Sequence, residues 1–311
     1  MKKVLWGLIA IFFSLSLLVH DKALSQETYP VMRHDPETLA QWMREYGVAP
    51  KAPLDDQIHL RLNQAAAQGV GTSISLLNYL QYTPTEWNQS NCGDCWVWAG
   101  TGIMEIALSV QNGTKDRFST QFLNSCKTGS FACCGGWLSD ASNFYGSKGY
   151  AIPWANTNAS FQDGQKQCGN SIAVSCASIA TTPNYPITSI TAQTISTTGV
   201  GQTAAVANIK NALNQNKGVW FAFFLATNND WNAFFNFWNN QSESAIWDPD
   251  PYCGHIDDGG SGGHAVLVVG YNDSDPDPAK HYWLVLNSWG TANGTLESHP
   301  PAGNASRWAV A

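Results

Sequence analysis

Apolar residues near the start of the chain recur every three to four positions and predict two short helices. The first begins after Asp35, with Pro36 at its first position, and the second begins after Asp55 and ends near Gly69. Two such helices cannot enclose a core of their own. We therefore expect them to pack on the rest of the chain, either as a pro-segment that lies over the main domain or as an ordinary helical extension.

A nearly continuous apolar stretch predicts a buried central helix from Cys95 to about Val110. Ser119 is a suitable N-cap for the next helix, and the apolar spacing after Trp137 predicts a third helix that closes at Gly149. From Ile187 onward the segments are rich in Thr and Val, which indicates a β-rich second half. There we predict one helix over residues 204–214 and a strand over residues 219–225.

Two strand-like runs, 264–271 and 281–289, flank a loop rich in turn-forming residues and predict an antiparallel hairpin. A hairpin symmetric about that loop places His264 opposite Asn287. One amide could then hold the imidazole in a chosen tautomer and orientation. A purely structural His–Asn pair would show the same pattern.

The composition argues against a nucleic-acid partner and favours export. The 311 residues carry a net charge of −7 with only 13% charged residues, which provides no basic surface for phosphate groups. Two lysines, an apolar run over residues 4–19 and the Ala-Leu-Ser at residues 23–25 predict a cleaved secretory signal, with a membrane anchor as the alternative. We expect a secreted protein, or a periplasmic or endolysosomal one depending on the host, with disulfides and without membrane association after cleavage.

Cys92 and Cys95 lie three residues apart at the start of the predicted central helix. Three functions compete for this pair: a redox couple, half of a metal site, or one structural cysteine beside one reactive cysteine. A thiol at a helix N-terminus, beside a protonated histidine, has a lowered pKa and attacks as a thiolate. This position makes Cys95 the candidate nucleophile.

Four short motifs resemble those of the papain-like cysteine peptidases and occur in that family's order over residues 79–290. They are Gln89 with Cys92-Gly93-Asp94-Cys95-Trp96, Cys133-Cys134-Gly135-Gly136, Gly263-His264-Ala265-Val266 and Asn287-Ser288-Trp289-Gly290. The resemblance implies an α+β fold with two subdomains. One is a helical half with a long central helix, the other is an antiparallel β-rich half, and the active site lies in the cleft between them.

The same resemblance implies a secreted cysteine-type endopeptidase, made as a zymogen, that works through a thioester acyl-enzyme. Cys95 would attack the peptide carbonyl, His264 would carry the proton and Asn287 would orient His264. The Gln89 side-chain amide and the Cys95 backbone N–H would form the oxyanion hole. Trp289 would shield the His–Asn hydrogen bond from water.

The expected partner is a peptide or protein substrate. By resemblance, Gly135 and Gly136 would let an extended substrate backbone pair with the chain. The candidate pocket for an apolar substrate side chain is lined by Trp137, Leu138, Ala222 and Ala265. We expect a monomer that needs no metal and no cofactor.

Family positions imply disulfides between Cys92 and Cys133 and between Cys126 and Cys168. With Cys95 reserved for catalysis, the three cysteines that remain are Cys134, Cys176 and Cys253. We therefore expect an odd thiol or a rearranged bridge, and the sequence does not decide between them.

The expected organisation is a signal peptide over residues 1–25, a pro-segment or helical extension over 26–75, and a peptidase domain over 76–311. The family pattern stops after Gly290, so this domain is a candidate for truncation at its C-terminus. Asp94 stands where the family has Ser or Ala, and we predict that its carboxylate raises the pKa of Cys95.

Three other functions remain open from the sequence. The Cys-x-x-Cys spacing also suits a thiol–disulfide oxidoreductase. Zinc could bind through the four thiolates of Cys92, Cys95, Cys133 and Cys134. The third alternative is a catalytically degenerate papain-like binding protein.

Overall fold

The computed structural model of the chain describes residues 30–81, 86–242, 244–257, 259 and 261–290, and the backbone of residues 305–309. The predicted signal peptide and residues 291–304, which follow the last predicted motif, lie outside the described residues. Among the helices described, none combines the length and the apolar character that a membrane crossing requires.

Helices dominate the first half of the chain. Seven α-helices lie within the described residues: α1 Pro36–Val48, α2 Asp56–Ala67, α3 Cys95–Asn112, α4 Thr120–Cys126, α5 Leu138–Lys148, α6 Gln202–Asn214 and α7 Asn228–Asn240.

Capping residues set the first or last residue of three of these helices where the sequence predicts. The Asp35 carboxylate accepts the Thr38 N–H at 2.8 Å at the start of α1, and the Ser119 hydroxyl accepts the Phe122 N–H at 2.9 Å at the start of α4. α5 ends at Gly149, whose φ of +72° is a left-handed conformation that glycine adopts without strain. These predicted helix boundaries are confirmed.

Strands follow in the second half. Those within the described residues are β1 Ser73–Ser75, β2 Tyr150–Ala151, β3 Tyr185–Pro186, β4 Val219–Leu225, β5 Ile246–Trp247, β6 Gly262–Asn272, β7 Tyr282–Leu286 and β8 Ala305–Ala309. Six of them form one sheet in the order β1-β6-β7-β8-β5, with β4 also paired to β6, and β2 pairs with β3. Because β6 pairs with three strands, it is the centre of the β-rich half.

The register of the β6–β7 hairpin differs from the prediction. Leu267 pairs with Leu286, and Gly270 pairs with Leu284, with a bulge after Val268. Continued along the strands, this register places His264 two residues away from the position opposite Asn287. The prediction of direct opposition was wrong because the loop turns later than its composition indicates, and the bulge recovers only one residue of that offset.

The two halves meet where α3 packs on β6. The approach is close, since a Cβ on Gly102 of α3 would lie 2.6 Å from Cδ2 of Leu267. Trp96 and Trp98, at 0% and 1% exposed, fill the interior around the first turns of α3. The N-terminus of α3 thus comes to lie beside the start of β6, which is the α+β architecture that the resemblance implies.

The two N-terminal helices pack on the main domain. Asp55, which caps α2, exchanges two hydrogen bonds with the Asn211 side chain of α6, at 2.9 and 2.8 Å. The Trp42 ring of α1 stacks on the Trp137 ring, with centroids 5.4 Å apart and an interplanar angle of 13°. These contacts are the packing that the sequence predicts for the two helices.

Three disulfides lie within the described residues, and their pairing corrects one prediction. Cys92 is bonded to Cys133, but Cys126 is bonded to Cys176 rather than to Cys168. Cys168 is bonded to Cys134, which adjoins Cys133. Cys126, at the end of α4, is therefore bonded to a cysteine that lies later in the chain, Cys176. The two free cysteines are Cys95, which is buried, and Cys253, which is exposed.

Candidate active site

Cys95 is the first residue of α3, so its side chain lies at the helix N-terminus, where the helix dipole favours negative charge. Its Sγ is 0% exposed and accepts a hydrogen bond from the backbone N–H of Ala265 at 3.3 Å. Because Ala265 directly follows His264 on β6, this contact brings the thiol next to the predicted histidine.

His264 is held by Asn287 in a single tautomer. The ring Nε2 lies 2.8 Å from Oδ1 of Asn287, and the same oxygen accepts the Ser288 backbone N–H at 2.8 Å. Since Ser288 N–H can only donate, the Asn287 atom is the oxygen, and Nε2 of His264 must carry a hydrogen. The neutral ring then has its lone pair on Nδ1, which is buried without a hydrogen-bond partner among the described residues. His264 and Asn287 thus meet diagonally across the hairpin.

Aromatic rings enclose the imidazole. The Trp289 ring lies 4.6 Å from the His264 ring between centroids, and Phe223 approaches it edge-on at 5.7 Å. Trp231 and Phe234 of α7 complete the enclosure at 6.5 and 6.4 Å. These rings exclude water from the His–Asn hydrogen bond, which strengthens it.

The Gln89 side chain is fixed at both ends. Its Oε1 accepts the Ser288 hydroxyl at 2.5 Å, and its Nε2 donates to the Cys92 carbonyl at 2.7 Å. The second hydrogen on Nε2 goes to the Pro30 carbonyl at 2.8 Å. Gln89 therefore presents one fixed N–H to a peptide carbonyl, which is the task of an oxyanion-hole donor.

The N-terminal segment occupies the cleft at these residues. Met32 donates its N–H to the Gly263 carbonyl at 2.7 Å and accepts the Gly263 N–H at 3.0 Å, so that it extends the sheet beside β6. Val31 and Met32 are 3% and 0% exposed. The chain thus covers its own candidate site with an extended backbone.

Burial shifts both titratable groups toward their neutral forms. It raises the pKa of the Cys95 thiol to about 12, a rise that the Ala265 N–H opposes and that the Asp94 carboxyl increases when it is ionised, which is the direction that the sequence predicts. It also lowers the pKa of His264 to about 4, against the effect of the Asn287 hydrogen bond. With the segment in place, the site holds a thiol and a neutral imidazole.

The predicted substrate-binding glycines lie on the opposite wall of the cleft. A Cβ on Gly135 would lie 2.9 Å from Cβ of Met32, and one on Gly136 would lie 2.5 Å from the Trp96 ring. Both positions therefore exclude a side chain, the first beside the segment in the cleft and the second because of core packing.

The four predicted pocket residues have different surroundings. Ala222 and Ala265 pair across β4 and β6, while Leu138 is partly exposed at the start of α5. Trp137 contacts the Trp220 ring edge-on at 4.9 Å and is covered by Trp42. The structure thus brings Trp137 close to a second tryptophan that the sequence did not single out.

Two further participants escaped the sequence analysis. Ser288 connects Gln89 with the Asn287 loop, a contact between residues 199 positions apart. Residues 30–32 fall within the predicted pro-segment or helical extension, but no motif marks them as the part that lies at the site. The Asn-Ser-Trp-Gly motif contained a signal for Ser288, because its serine lies next to the orienting asparagine.

The pairing of the cysteines bears on two alternatives. Cys92 and Cys95 are not bonded to each other, since Cys92 forms its disulfide with Cys133. Three of the four thiols proposed for zinc are in disulfides, and no cluster of metal-binding side chains occurs in the part of the chain that the structure describes. Cys92 and Cys95 therefore do not form a redox couple in this structure. A four-thiolate zinc site would lack three of its four thiolates.

Comparison with known proteins shows similarity over the same region. A family model described as papain family cysteine protease matches residues 81–297. The chain is 23% identical to ananain of Ananas comosus over 214 residues, which are 67% of this chain and 49% of that protein. It is 27% identical to cathepsin F of Drosophila melanogaster over 206 residues, which are 65% of this chain and 28% of that protein. The chain thus spans half the length of these relatives or less.

A solved structure shows similarity in fold. Recombinant stem bromelain precursor aligns with a TM-score of 0.50 and 19% identity, covering 84% of this chain and 68% of that chain. At this identity the likeness concerns the fold alone, and it confirms the predicted α+β class.

Proposed function

Because this chain belongs to the papain family of cysteine proteases, we propose that it is a secreted peptidase that hydrolyses peptide bonds through Cys95, His264 and Asn287. One observation carries the proposal. The thiol of Cys95, which forms no disulfide, lies at the N-terminus of α3 and accepts a hydrogen bond from the backbone N–H of Ala265, the residue after His264. Asn287 orients the His264 ring through a hydrogen bond of 2.8 Å and leaves the ring lone pair on Nδ1. A nucleophile, a base and a group that orients the base are the parts that acyl transfer requires.

The proposed reaction proceeds in two steps. His264 Nδ1 takes the thiol proton while Cys95 Sγ attacks the substrate carbonyl carbon, and the proton then passes to the leaving amine. Water, deprotonated by Nδ1, hydrolyses the resulting thioester and restores the thiol. The Gln89 N–H and the Cys95 backbone N–H stabilise the oxyanion in both steps, and each such donor contributes about 3–4 kcal/mol to lowering the barrier.

The proposed substrate is an extended peptide with an apolar side chain near the cleaved bond, and the proposed mode of cleavage is internal. Met32 supports the apolar preference, because its side chain reaches within 3.0 Å of the position that a Cβ on Gly263 would occupy. The Gly135 side of the cleft contacts the same residue. An apolar side chain in extended backbone therefore already fills this place.

We also propose that residues 26–75 are a pro-segment, which keeps the peptidase latent, rather than an ordinary helical extension. Three contacts of its described part support this assignment: Pro30 to the Gln89 amide, Met32 to Gly263, and Trp42 to Trp137. Together they cover the donor, the strand beside the base and the candidate pocket. The disulfides of the chain are consistent with an oxidising compartment and so with export.

The proposed activity can be tested with the two free cysteines of the described chain. The full chain, Cys95→Ala and Cys253→Ala are incubated with a peptide library under mild reductant, and products are identified by mass spectrometry. We expect the full chain and Cys253→Ala to cleave peptides once the proposed pro-segment has been released, and Cys95→Ala treated in the same way to lose at least roughly 10³-fold of the rate. Cleavage by Cys95→Ala would refute the assignment. Labelling of Cys95 by an epoxide inhibitor of cysteine peptidases would exclude a catalytically degenerate binding protein, whereas neither labelling nor cleavage would favour one.

A further inference from the structure

A pair of buried polar side chains lies directly behind Cys95. Asp94 is 0% exposed, and its Oδ2 accepts a hydrogen bond from Nδ2 of Asn124 on α4 at 2.8 Å. Its Oδ1 is buried without a hydrogen-bond partner among the described residues, and the same holds for Oδ1 of Asn124. Two buried acceptor oxygens at one contact therefore lack a hydrogen, which is a costly arrangement in a protein interior.

The surroundings of Asp94 give little support to a negative charge. It occupies the N-cap of α3, yet its side chain accepts no hydrogen bond from the helix backbone, as a capping aspartate usually does. The groups that face the carboxyl are Asn124, the Trp98 indole, the neighbouring Cys95 and a second carboxyl, Asp163. Within the described residues no Lys, Arg or His forms an ion pair with Asp94.

Asp163 differs from Asp94 in the number of hydrogens it receives. Its Oδ2 accepts from Nε2 of Gln121 at 2.8 Å, and its Oδ1 accepts the Ala173 N–H at 2.7 Å. An ionised carboxylate only accepts hydrogen bonds and suits such a site. Asp94, whose Oδ1 receives no hydrogen, is therefore the carboxyl of the two that has room for a proton.

We propose that Asp94 is a neutral carboxylic acid that donates its proton to Oδ1 of Asn124, and that it is a positioning residue for Cys95. The acid and the amide then form a closed pair with two hydrogen bonds, and one proton satisfies both unpartnered oxygens. The electrostatics agree, because burial raises the pKa of Asp94 well above its ordinary value. Asn124, the backbone N–H of Asp94 and the Trp98 indole oppose the rise, and the Asp163 carboxyl adds to it.

The neutral acid matters because of where the thiolate has to form. While Asp94 is protonated, no negative side chain opposes the ionisation of Cys95 at the N-terminus of α3. Once Asp94 loses its proton, its charge disfavours the thiolate one residue away. The role of Cys95 rests on the proposed function, whereas the protonation state of Asp94 can be measured without any peptidase activity.

The first test measures stability against pH in the full chain carrying Cys95→Ala, with and without Asp94→Asn. An asparagine reproduces both hydrogen bonds of a neutral acid. If the fold retains the Asp94 proton, the unfolded chain releases it above about pH 4, so the unfolding constant of the parent rises by up to tenfold per pH unit until the folded pKa is reached. The Tm of Asp94→Asn relative to its parent should therefore increase between pH 4 and 7. A constant or decreasing difference would overturn the proposal.

Two measurements complete this test. Asp163→Asn should instead lower the Tm at pH 7, because its amide N–H would face one of the two groups that donate to Asp163, the Gln121 amide or the Ala173 N–H. The difference infrared spectrum between the parent and Asp94→Asn at pH 7 should contain the carbonyl band of a protonated carboxylic acid. Carboxylate bands in its place would refute the neutral state directly.

The second test measures the coupling to Cys95. In the full chain with its native thiol, iodoacetamide labels Cys95 at a rate that follows the thiolate fraction. The ratio of the rate in Asp94→Asn to that in the parent should be near one at pH 5 and increase several-fold as Asp94 titrates. Glu105→Gln is the matched control, because burial raises the pKa of Glu105 to about 8 at a site about three turns along α3, and its ratio should stay near one. A ratio in Asp94→Asn that stays near one through the pH at which the carboxylic-acid infrared band of Asp94 disappears would refute the coupling.

Discussion

At the scale of single residues, the site depends on hydrogen bonds that join distant parts of the chain. Ser288 holds the Gln89 amide through its hydroxyl and the Asn287 amide through its backbone N–H. The donor of the proposed oxyanion hole and the orienting group of the base are therefore positioned by one residue. An alanine at position 288 removes the first contact and keeps the second.

This separation gives a prediction for a double-mutant cycle. Gln89→Ala should lower kcat by roughly 10²–10³-fold, because one oxyanion donor is lost. Ser288→Ala should lower it less, and the double variant should be no worse than Gln89→Ala alone, because Ser288 acts through Gln89. Steady-state kinetics on one fluorogenic peptide measure all four rates. Additive losses would show that Ser288 acts by another route.

The residue identities of the site were within reach of the sequence, but their contacts were not. Local motifs indicated Cys95, His264, Asn287 and Gln89 as candidates, because each lies in a short, chemically distinctive stretch. The contact of Ser288 with Gln89 depends on how two segments 199 residues apart meet. No periodicity or spacing carries that information.

At the scale of elements, α1 buries a single side chain, Trp42. Trp42 is 6% exposed and stacks on Trp137, while its neighbour Met43 is 55% exposed. The His34 ring contacts both the Trp42 ring and the Phe224 ring, with centroids 5.1 Å apart in each case. The position of the segment in the cleft thus depends on an aromatic cluster.

We expect Trp42→Ala to loosen the segment without affecting the catalytic groups. Loss of a buried tryptophan removes about 3–5 kcal/mol of packing energy. Iodoacetamide should then label Cys95 in the full chain at least tenfold faster. Met43→Ala, on the same helix but exposed, should leave the rate unchanged. Equal rates in all three chains would mean that Trp42 does not hold the segment.

Element boundaries were more predictable than the pairing between elements. Helices begin after Asp35 and Ser119 and end at Gly149 as predicted, because capping acts over a few residues. The β6–β7 register and the Cys126–Cys176 bridge were predicted wrongly, because both depend on a bulge or on competition between distant partners. Local chemistry therefore set the ends of elements, and tertiary packing set their partners.

At the scale of the whole molecule, burial keeps the thiol and the imidazole of the covered site uncharged. Burial holds the pKa of Cys95 at about 12 and that of His264 at about 4, so both groups are neutral over the range between. The thiolate–imidazolium pair on which the proposed chemistry depends is disfavoured as long as residues 30–32 exclude water. The proposed latency would thus have an electrostatic part as well as a steric one.

This state predicts a distinctive pH profile for the full chain. Because the thiol pKa is raised, the thiolate fraction should increase about tenfold per pH unit, without a plateau, from pH 6 to 9. The labelling rate of Cys95, followed by mass spectrometry, should increase in the same way. A plateau near neutral pH would mean that the ion pair already exists under the segment.

The backbone pairing of Met32 with Gly263 has a consequence for what the uncovered cleft can accept. When the segment leaves, the N–H and the carbonyl of Gly263 lose their partners and remain available to any polypeptide that can supply another strand. A chain whose own backbone is tied up in helices or sheets cannot supply one. On the proposed function, the cleft would therefore accept unfolded chains in preference to folded ones. We expect the molecule to digest a disulfide-rich protein quickly after reduction and hardly at all before, with gel electrophoresis as the assay and equal digestion of both forms as the contrary result.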